Sequence, residues 1–215
     1  MACTLFVFWI AAGWPPMTVS ELEFQALRYS LRRLPGIALA VFHTPVDIAD
    51  PLLRHDSATQ AMLQLYFHNT GYLESSVGVG SVLPGLLREA MPGLVSADIE
   101  IQAMQVHSIP VASAGDMAGE TCAYVVGYEG GSDDTQTWVH EYRTAHALLM
   151  RDLPGVRQIE VYTRLNPPVD STLAAQHWML RNKVVFDTPA ALRAALESPV
   201  RKAMKQHRAA MPALD

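Results

Sequence analysis

Leu34-Pro35-Gly36 returns as Leu153-Pro154-Gly155, 119 positions later, and that one step organises the chain. It also carries Cys3 onto Cys122, Val7 onto Val126, Thr18 onto Thr137, Ala26 onto Ala145 and Arg32 onto Arg151. Further along it carries Thr44 onto Thr163, Phe67 onto Phe186 and Leu73 onto Leu192. A third triplet, Leu83-Pro84-Gly85, is out of register, so the weight rests on the constant offset. One offset without a net gap predicts two copies of an α+β unit within 215 residues. A period this long is domain-sized, beyond any solenoid module.

The second copy reads more clearly. Residues 122 to 128 are β-rich and end at Glu129-Gly130-Gly131, a strand and a turn. Ser132-Asp133-Asp134-Thr135 offers N-caps for a helix running to about Asp152. At roughly 100° per residue, Trp138, Tyr142, Ala145, His146, Leu149 and Leu153 share one meridian to within about 60°. Pro154-Gly155 stops that helix. A strand from about Val156 to Thr163 precedes Asn166-Pro167-Pro168, and another covers about His177 to Phe186. Thr188 then caps a helix whose first residue, Pro189, needs no amide donor. A break is expected at Ser198-Pro199.

The first copy repeats this order: strand Thr4–Ile10, helix Val19–Arg33, strands Gly36–Thr44 and Met62–Phe67, helix Gly71–Ala90. A fourth strand follows at about Ala97 to Val106. The fold class is therefore α+β, two tandem ferredoxin-like repeats of β-α-β-β-α-β order. The expected domains are 1–110 and 119–215, joined by the Ala-, Gly-, Ser- and Pro-rich stretch from Ser108 to Glu120. No fourth strand is evident in the second copy. Each sheet would leave one face bare, and pairing the two faces into an α/β barrel would cover both. A homodimer stays open as a further partner.

Half of the residues are hydrophobic and 17% are charged, so a sizeable core is feasible. A net charge of −5 argues against a nucleic-acid surface. The basic cluster Arg201 to Arg208 reads as the solvated face and C-terminal end of a helix. Cys3 and Cys122 open predicted strands and read as buried free thiols, which fits a reducing cytoplasm. The apolar run from Cys3 lacks a basic flank and aligns with the 122–128 strand, so it reads as core rather than as a signal peptide or membrane span.

Trp138-Val-His-Glu-Tyr142-Arg-Thr-Ala-His146, then Leu153-Pro-Gly-Val-Arg157 and Val185-Phe186-Asp-Thr-Pro-Ala-Ala-Leu192, resemble the EthD-like family of the dimeric α/β-barrel superfamily. Trp138 matches the family's first helical aromatic, Tyr142 the second member of its aromatic pair, and His146 its His. Glu141 departs from the first member of that pair. In the first copy Glu23 and Leu27 hold the Tyr and His positions. The resemblance implies a small-molecule-binding protein. Superfamily members include cofactor-free monooxygenases, isomerases, cyclases and haem-degrading enzymes, alongside accessory proteins of degradative operons.

The candidate catalytic residues are His146, Tyr142 and Glu23. An imidazole beside a phenol can shuttle protons near neutral pH; a core His bonded to backbone is the alternative. Glu23, among apolar neighbours, would be a desolvated base with a raised pKa, or else a helix-start Glu near the dipole. Gln158, Glu160 and Tyr162 share one strand face, and His43 occupies the Tyr162 slot in the first copy. Trp138, Tyr162, Glu160, His43, Trp178 and Trp9 are the candidate ligand walls, or else core and interface packing. His68 and His107 read as ordinary residues just past strand ends.

No metal motif appears: His140 and His146 are six residues apart, roughly 120° around a helix. The Gly78-Val-Gly80 stretch follows no strand and reads as a helix break, and no Gly-x-Ser-x-Gly elbow exists. No cofactor is expected. The reading is a cytoplasmic protein that binds a small apolar or aromatic metabolite. If catalytic, it performs cofactor-independent oxygenation, isomerisation or proton transfer. The alternative is a non-catalytic accessory protein whose barrel interface is structural. Neither nucleic acid nor a membrane is an expected partner.

Overall fold

A computed structural model describes residues 3–12, 18–50, 59–112, 119–130, 135–165 and 170–214. The N-caps expected at Ser132 to Asp134, the turn at Asn166-Pro167-Pro168 and residues 113–118 of the expected linker lie outside this set. The chain forms two compact units. Unit 1 comprises Met1–Pro45, Asp56–Gln105 and Arg164–His177; unit 2 comprises Val46–His55, Val106–Thr163 and Trp178–Asp215. Beside its own half of the sequence, each unit thus holds the connection between the second and third strands of the other half.

In unit 1 the elements are β1 (Cys3–Ile10), α1 (Glu21–Leu31), β2 (Ile37–His43), β3 (Thr59–Phe67), α2 (Thr70–Val77), α3 (Leu83–Ala90) and β4 (Asp98–Ile109, to Gln105 within this unit). The strands run in the order β2-β3-β1-β4, the ferredoxin-like arrangement, and every pairing among them is antiparallel. Alternation sends Cys3, Leu5, Val7 and Trp9 of β1 to the helix side, where they meet Leu27, Leu31, Leu73, Val77 and Leu87. Burying each such side chain contributes about 1.5–3 kcal/mol. The single helix expected over Gly71–Ala90 is two, broken at Gly78 to Val82 where the glycines fall.

Unit 2 contains β5 (Cys122–Tyr128), α4 (Thr135–Glu141), a π-helical turn (Tyr142–His146), α5 (Ala147–Leu149), β6 (Val156–Arg164), β8 (Leu180–Phe186), α6 (Pro189–Glu197) and α7 (Pro199–Ala210). A two-residue strand between β6 and β8, β7 (Ala174–Ala175), belongs to unit 1 and pairs there in parallel with β4. The unit 2 order is β6-β8-β5, antiparallel throughout. Trp138, Tyr142, Met150, Ile159, Val184, Phe186, Leu192 and Met204 form its core. His107, expected past a strand end, lies inside β4, its Nε2 2.9 Å from Thr163 Oγ1.

The same local devices occur in both units, one step of 119 apart. Cys3 opposes Phe67 as Cys122 opposes Phe186. A bulge between Ile37 and Leu39 answers one between Val156 and Gln158. Asn69 Oδ1 accepts from Tyr72 N at 3.1 Å and Thr188 Oγ1 from Ala191 N at 3.2 Å, each capping a helix. Gly36 and Gly155 both take φ of +75°, a left-handed turn that only glycine adopts cheaply. Both cysteines are free and buried, and burial raises both thiols. Among the described residues no helix is long and apolar enough to cross a membrane.

Candidate functional site

The helix that carries the Trp-Tyr-His pattern is not regular. A π turn over Tyr142–His146 inserts one extra residue, so the side chains beyond it lag in phase. Trp138, Tyr142, His146, Ala147 and Met150 are buried, while Ala145 and Leu149, expected on the inward meridian, are only half-buried. Such turns inside helices are frequent at functional sites.

The inward residues build an aromatic stack. Trp138 and Tyr142 lie parallel at 5.2 Å, and the Tyr142 and His146 rings are 4.7 Å apart. Tyr128 of β5 meets Trp138 at 5.5 Å and Tyr142 at 5.1 Å. Asn182 Nδ2 of β8 donates to Tyr142 Oη at 2.6 Å, and Trp138 Nε1 donates to the Pro212 carbonyl at 3.2 Å. Burial, with Tyr128 beside it, holds the Tyr142 phenol well above its ordinary pKa, so it stays neutral.

His146 is 2% exposed, and its Nδ1 has no hydrogen-bond partner among the described residues. Its pKa falls to about 4, first through burial and then through the neighbouring His207, Arg208 and Arg201 side chains. The imidazole is therefore neutral at physiological pH and can accept a proton. His207 faces it at 5.4 Å, and the Arg208 guanidinium lies 5.1 Å from the Trp138 ring centre.

Beside the stack, Arg201 Nη2 pairs with Asp50 Oδ2 at 2.6 Å, and the Tyr124 hydroxyl donates to the same oxygen. The Asp50 side chain is fully buried. That contact pushes the tyrosine pKa up, behind burial as the larger cause. Arg201, His207 and Arg208 all sit on α7, the segment expected to present a solvated basic face. Lys202 and Lys205 do face solvent, but Arg201, His207 and Arg208 are half-buried and Met204 is buried. The spacing of Arg201, Met204 and His207 is one helical stripe, and the methionine at its centre was the readable sign of the inward side.

The second expected group lies on the opposite face of the same sheet. Glu160 opposes Lys183 and Tyr162 opposes Arg181, whereas Val161 opposes Asn182 on the helix side. Lys183 Nζ is 2.8 Å from Glu160 Oε2, and the Tyr162 hydroxyl donates to that oxygen at 2.5 Å. Burial pushes the lysine pKa down against the pull of Glu160, and it takes Arg181 to about 9. The Arg181 guanidinium lies 5.1 Å from the Trp178 ring, which itself covers Gly127. Within unit 2, Tyr162 and Glu160 are thus separated from His146, Tyr142 and Trp138 by the thickness of the sheet.

Unit 1 holds the remaining expected residues. Trp9 is core, edge-on to Phe42 at 6.0 Å. His43 is half-buried, paired across the strands with Met62. Glu23 is not a desolvated base. Its carboxylate accepts from Ser20 N at 2.8 Å, from Ser20 Oγ at 2.7 Å and from Gly93 N, completing a capping box at the start of α1. Those bonds, Ser20 first, pull its pKa down rather than up. Asn182, Asp50, Lys183 and the α7 residues Arg201, His207 and Arg208 come from elements distant in sequence from the Trp-Tyr-His helix, and Tyr128 ends the strand just before it; none was legible as a site residue.

No protein-family profile matches the chain, and no curated protein matches it. Solved structures do. An anthrone oxidase-like protein aligns over 100% of this chain and 87% of its own, with 14% identity and a TM-score of 0.60. A candidate monooxygenase from Lactobacillus acidophilus aligns over 98% of this chain and 88% of its own, with 12% identity and a TM-score of 0.52. The fold is ferredoxin-like α+β. An EthD family protein from Bacillus halodurans overlaps 39% of this chain and 80% of its own at 25% identity, with a TM-score of 0.32, too low to bear on the fold.

Proposed function

We propose that the protein binds a small, largely apolar or aromatic organic molecule at the α4–α7 side of unit 2. Where it acts on that molecule it moves a proton, or admits oxygen to the resulting carbanion, without a bound cofactor. The observation that carries this reading is His146 Nδ1: a neutral, buried ring nitrogen without a partner, beside aromatic side chains and a π turn. Its depressed pKa keeps it a free base at neutral pH. Tyr142, bonded to Asn182, acts as the positioning partner that fixes the imidazole plane. The solved relatives named for oxidase and monooxygenase activity support the oxygenase variant in general terms only.

A second reading has its own support. Trp138 bonds Pro212 and Tyr142 bonds Asn182, so the stack also ties helix, sheet and C-terminal segment together, as a purely structural cluster would. Native mass spectrometry with a panel of aromatic metabolites separates the two. Retained ligand in the wild type, lost in His146→Leu with an unchanged melting temperature, supports the binding site. Equal retention by both proteins rejects it.

The offset shared by strand registers, bulges and helix caps supports descent of both halves from one duplicated unit. On that view the EthD-like pattern survives in the second copy alone, and Glu23 and Leu27 mark its loss in the first.

A further inference from the structure

Two imidazole nitrogens, His146 Nδ1 and His207 Nδ1, are buried without a hydrogen-bond partner among the described residues. They belong to facing rings, with centroids 5.4 Å apart and planes at 52°. A single oxygen can bond two ring nitrogens when they lie within about 5.6 Å of each other. Each unmade bond costs roughly 1–3 kcal/mol, so an oxygen that satisfies both is strongly favoured there.

The surrounding charge decides what kind of oxygen. Arg208, next to His207 on α7, lies over Trp138 and Tyr128 and pairs with no carboxylate among the described residues. Arg201 is a cation too, but Asp50 already neutralises it. Tyr128 and Tyr142 are buried phenols whose pKa values are raised, so neither supplies negative charge. The two imidazoles are therefore bordered by one guanidinium without a carboxylate partner among the described residues and by aromatic rings.

We propose that this site takes the oxyanion of a small organic acid, one oxygen held between His146 Nδ1 and His207 Nδ1 with Arg208 as counter-charge. The acid is a carboxylic acid or an ionisable enol or phenol. The inference rests on the binding site proposed above and adds the charge of its ligand. The acid enters as its anion, and the imidazoles hold it as Nδ1–H donors, so binding breaks no O–H bond.

Calorimetric titration of the full chain tests this with aromatic carboxylates, their uncharged amides, and nitrophenols whose ionised form is coloured. The expected result is at least tenfold tighter binding of a carboxylate or phenolate than of its neutral analogue. Arg208→Gln should erase that difference, while His146→Leu should remove anion binding. The arm that depends on Arg208, carboxylate or coloured phenolate, identifies the source of the oxygen. Amides that bind as tightly as the acids, and need His146 to do so, overturn the charge assignment and leave the binding site standing. Binding of neither class overturns both. Carboxylate binding that survives both substitutions, or that equimolar sulfate displaces, also overturns the proposal. Arg208 is half-buried, and a melting curve on its replacement variant guards the result.

Discussion

Helix α1 of unit 1 and the α4–α5 helix of unit 2 lie one 119-residue step apart in the sequence and are put to different uses. In α1 a Ser20–Glu23 capping box starts a regular helix that buries only Leu27 and Leu31. In unit 2 the equivalent turn is π-helical, and the positions of Glu23 and Leu27 are Tyr142 and His146. Leu27 and His146 are buried equally, at 1% and 2% exposed. One is a hydrocarbon satisfied by its neighbours and the other a polar ring left unsatisfied. A fold tolerates that penalty more readily where the group has work to do.

The largest effect expected is at Tyr142. Removing a fully buried aromatic that also accepts from Asn182 should cost about 3–5 kcal/mol in urea unfolding of Tyr142→Ala. The equivalent change in unit 1, Glu23→Ala, should cost about 1 kcal/mol, since only a cap is lost. Similar losses at both positions would erase the contrast between the helices.

Exchanging residues at the next position sharpens it. Leu27→His places an imidazole inside a cluster of buried apolar side chains and should destabilise by about 2–4 kcal/mol. His146→Leu, by contrast, removes an unsatisfied nitrogen and should hold or raise stability while abolishing ligand retention. A destabilised His146→Leu protein would mean that the imidazole is bonded in the native state.

Acid unfolding supplies a third test. The His146 pKa drops from 6.5 to about 4 on folding, so between those values the unfolded chain binds the additional proton. Stability is then complete above about pH 6.5, declines as pH falls toward 4, and levels off below it. The shift corresponds to a loss on the order of 3 kcal/mol at ~1.4 kcal/mol per unit. The groups facing this ring are His207, Arg208, Arg201 and the neutral Tyr142, and the first three all oppose its protonation. His146→Leu should flatten this part of the pH profile; an unchanged slope would assign it to other groups.

The sequence made the fold legible because strands and caps are local. The strand at 122–128, the Thr188-Pro189 helix start and the break at Ser198-Pro199 each follow from a few adjacent residues, and the structure contains all three. The candidate site was only half legible. Periodicity placed Trp138, Tyr142 and His146 on one inward face, but a period of 3.6 residues cannot announce a π turn, so Ala145 and Leu149 were put inside instead of Ala147 and Met150. Grouping His146 with Tyr162 failed for a different reason. Residues 142 and 162 lie on different elements, and which face of the β6-β8-β5 sheet a helix covers is a tertiary fact. Asp50 lies still farther off, 151 positions from the Arg201 that it neutralises.

The smallest effect belongs to Glu23, and its sign discriminates well. As a desolvated base its neutral form would be favoured, and Glu23→Gln would stabilise the protein. As the third residue of a capping box its ionised form is favoured by the bonds to Ser20 and Gly93. Glu23→Gln should then cost about 0.5–1 kcal/mol at neutral pH. Because folding lowers this carboxyl's pKa below 4.5, its contribution is present above that value and fades as acid protonates it. The wild type and Glu23→Gln should therefore converge in stability at low pH and differ at pH 7, with identical ligand retention at unit 2. A variant that loses ligand would return Glu23 to the site, and with it the idea that both copies keep one.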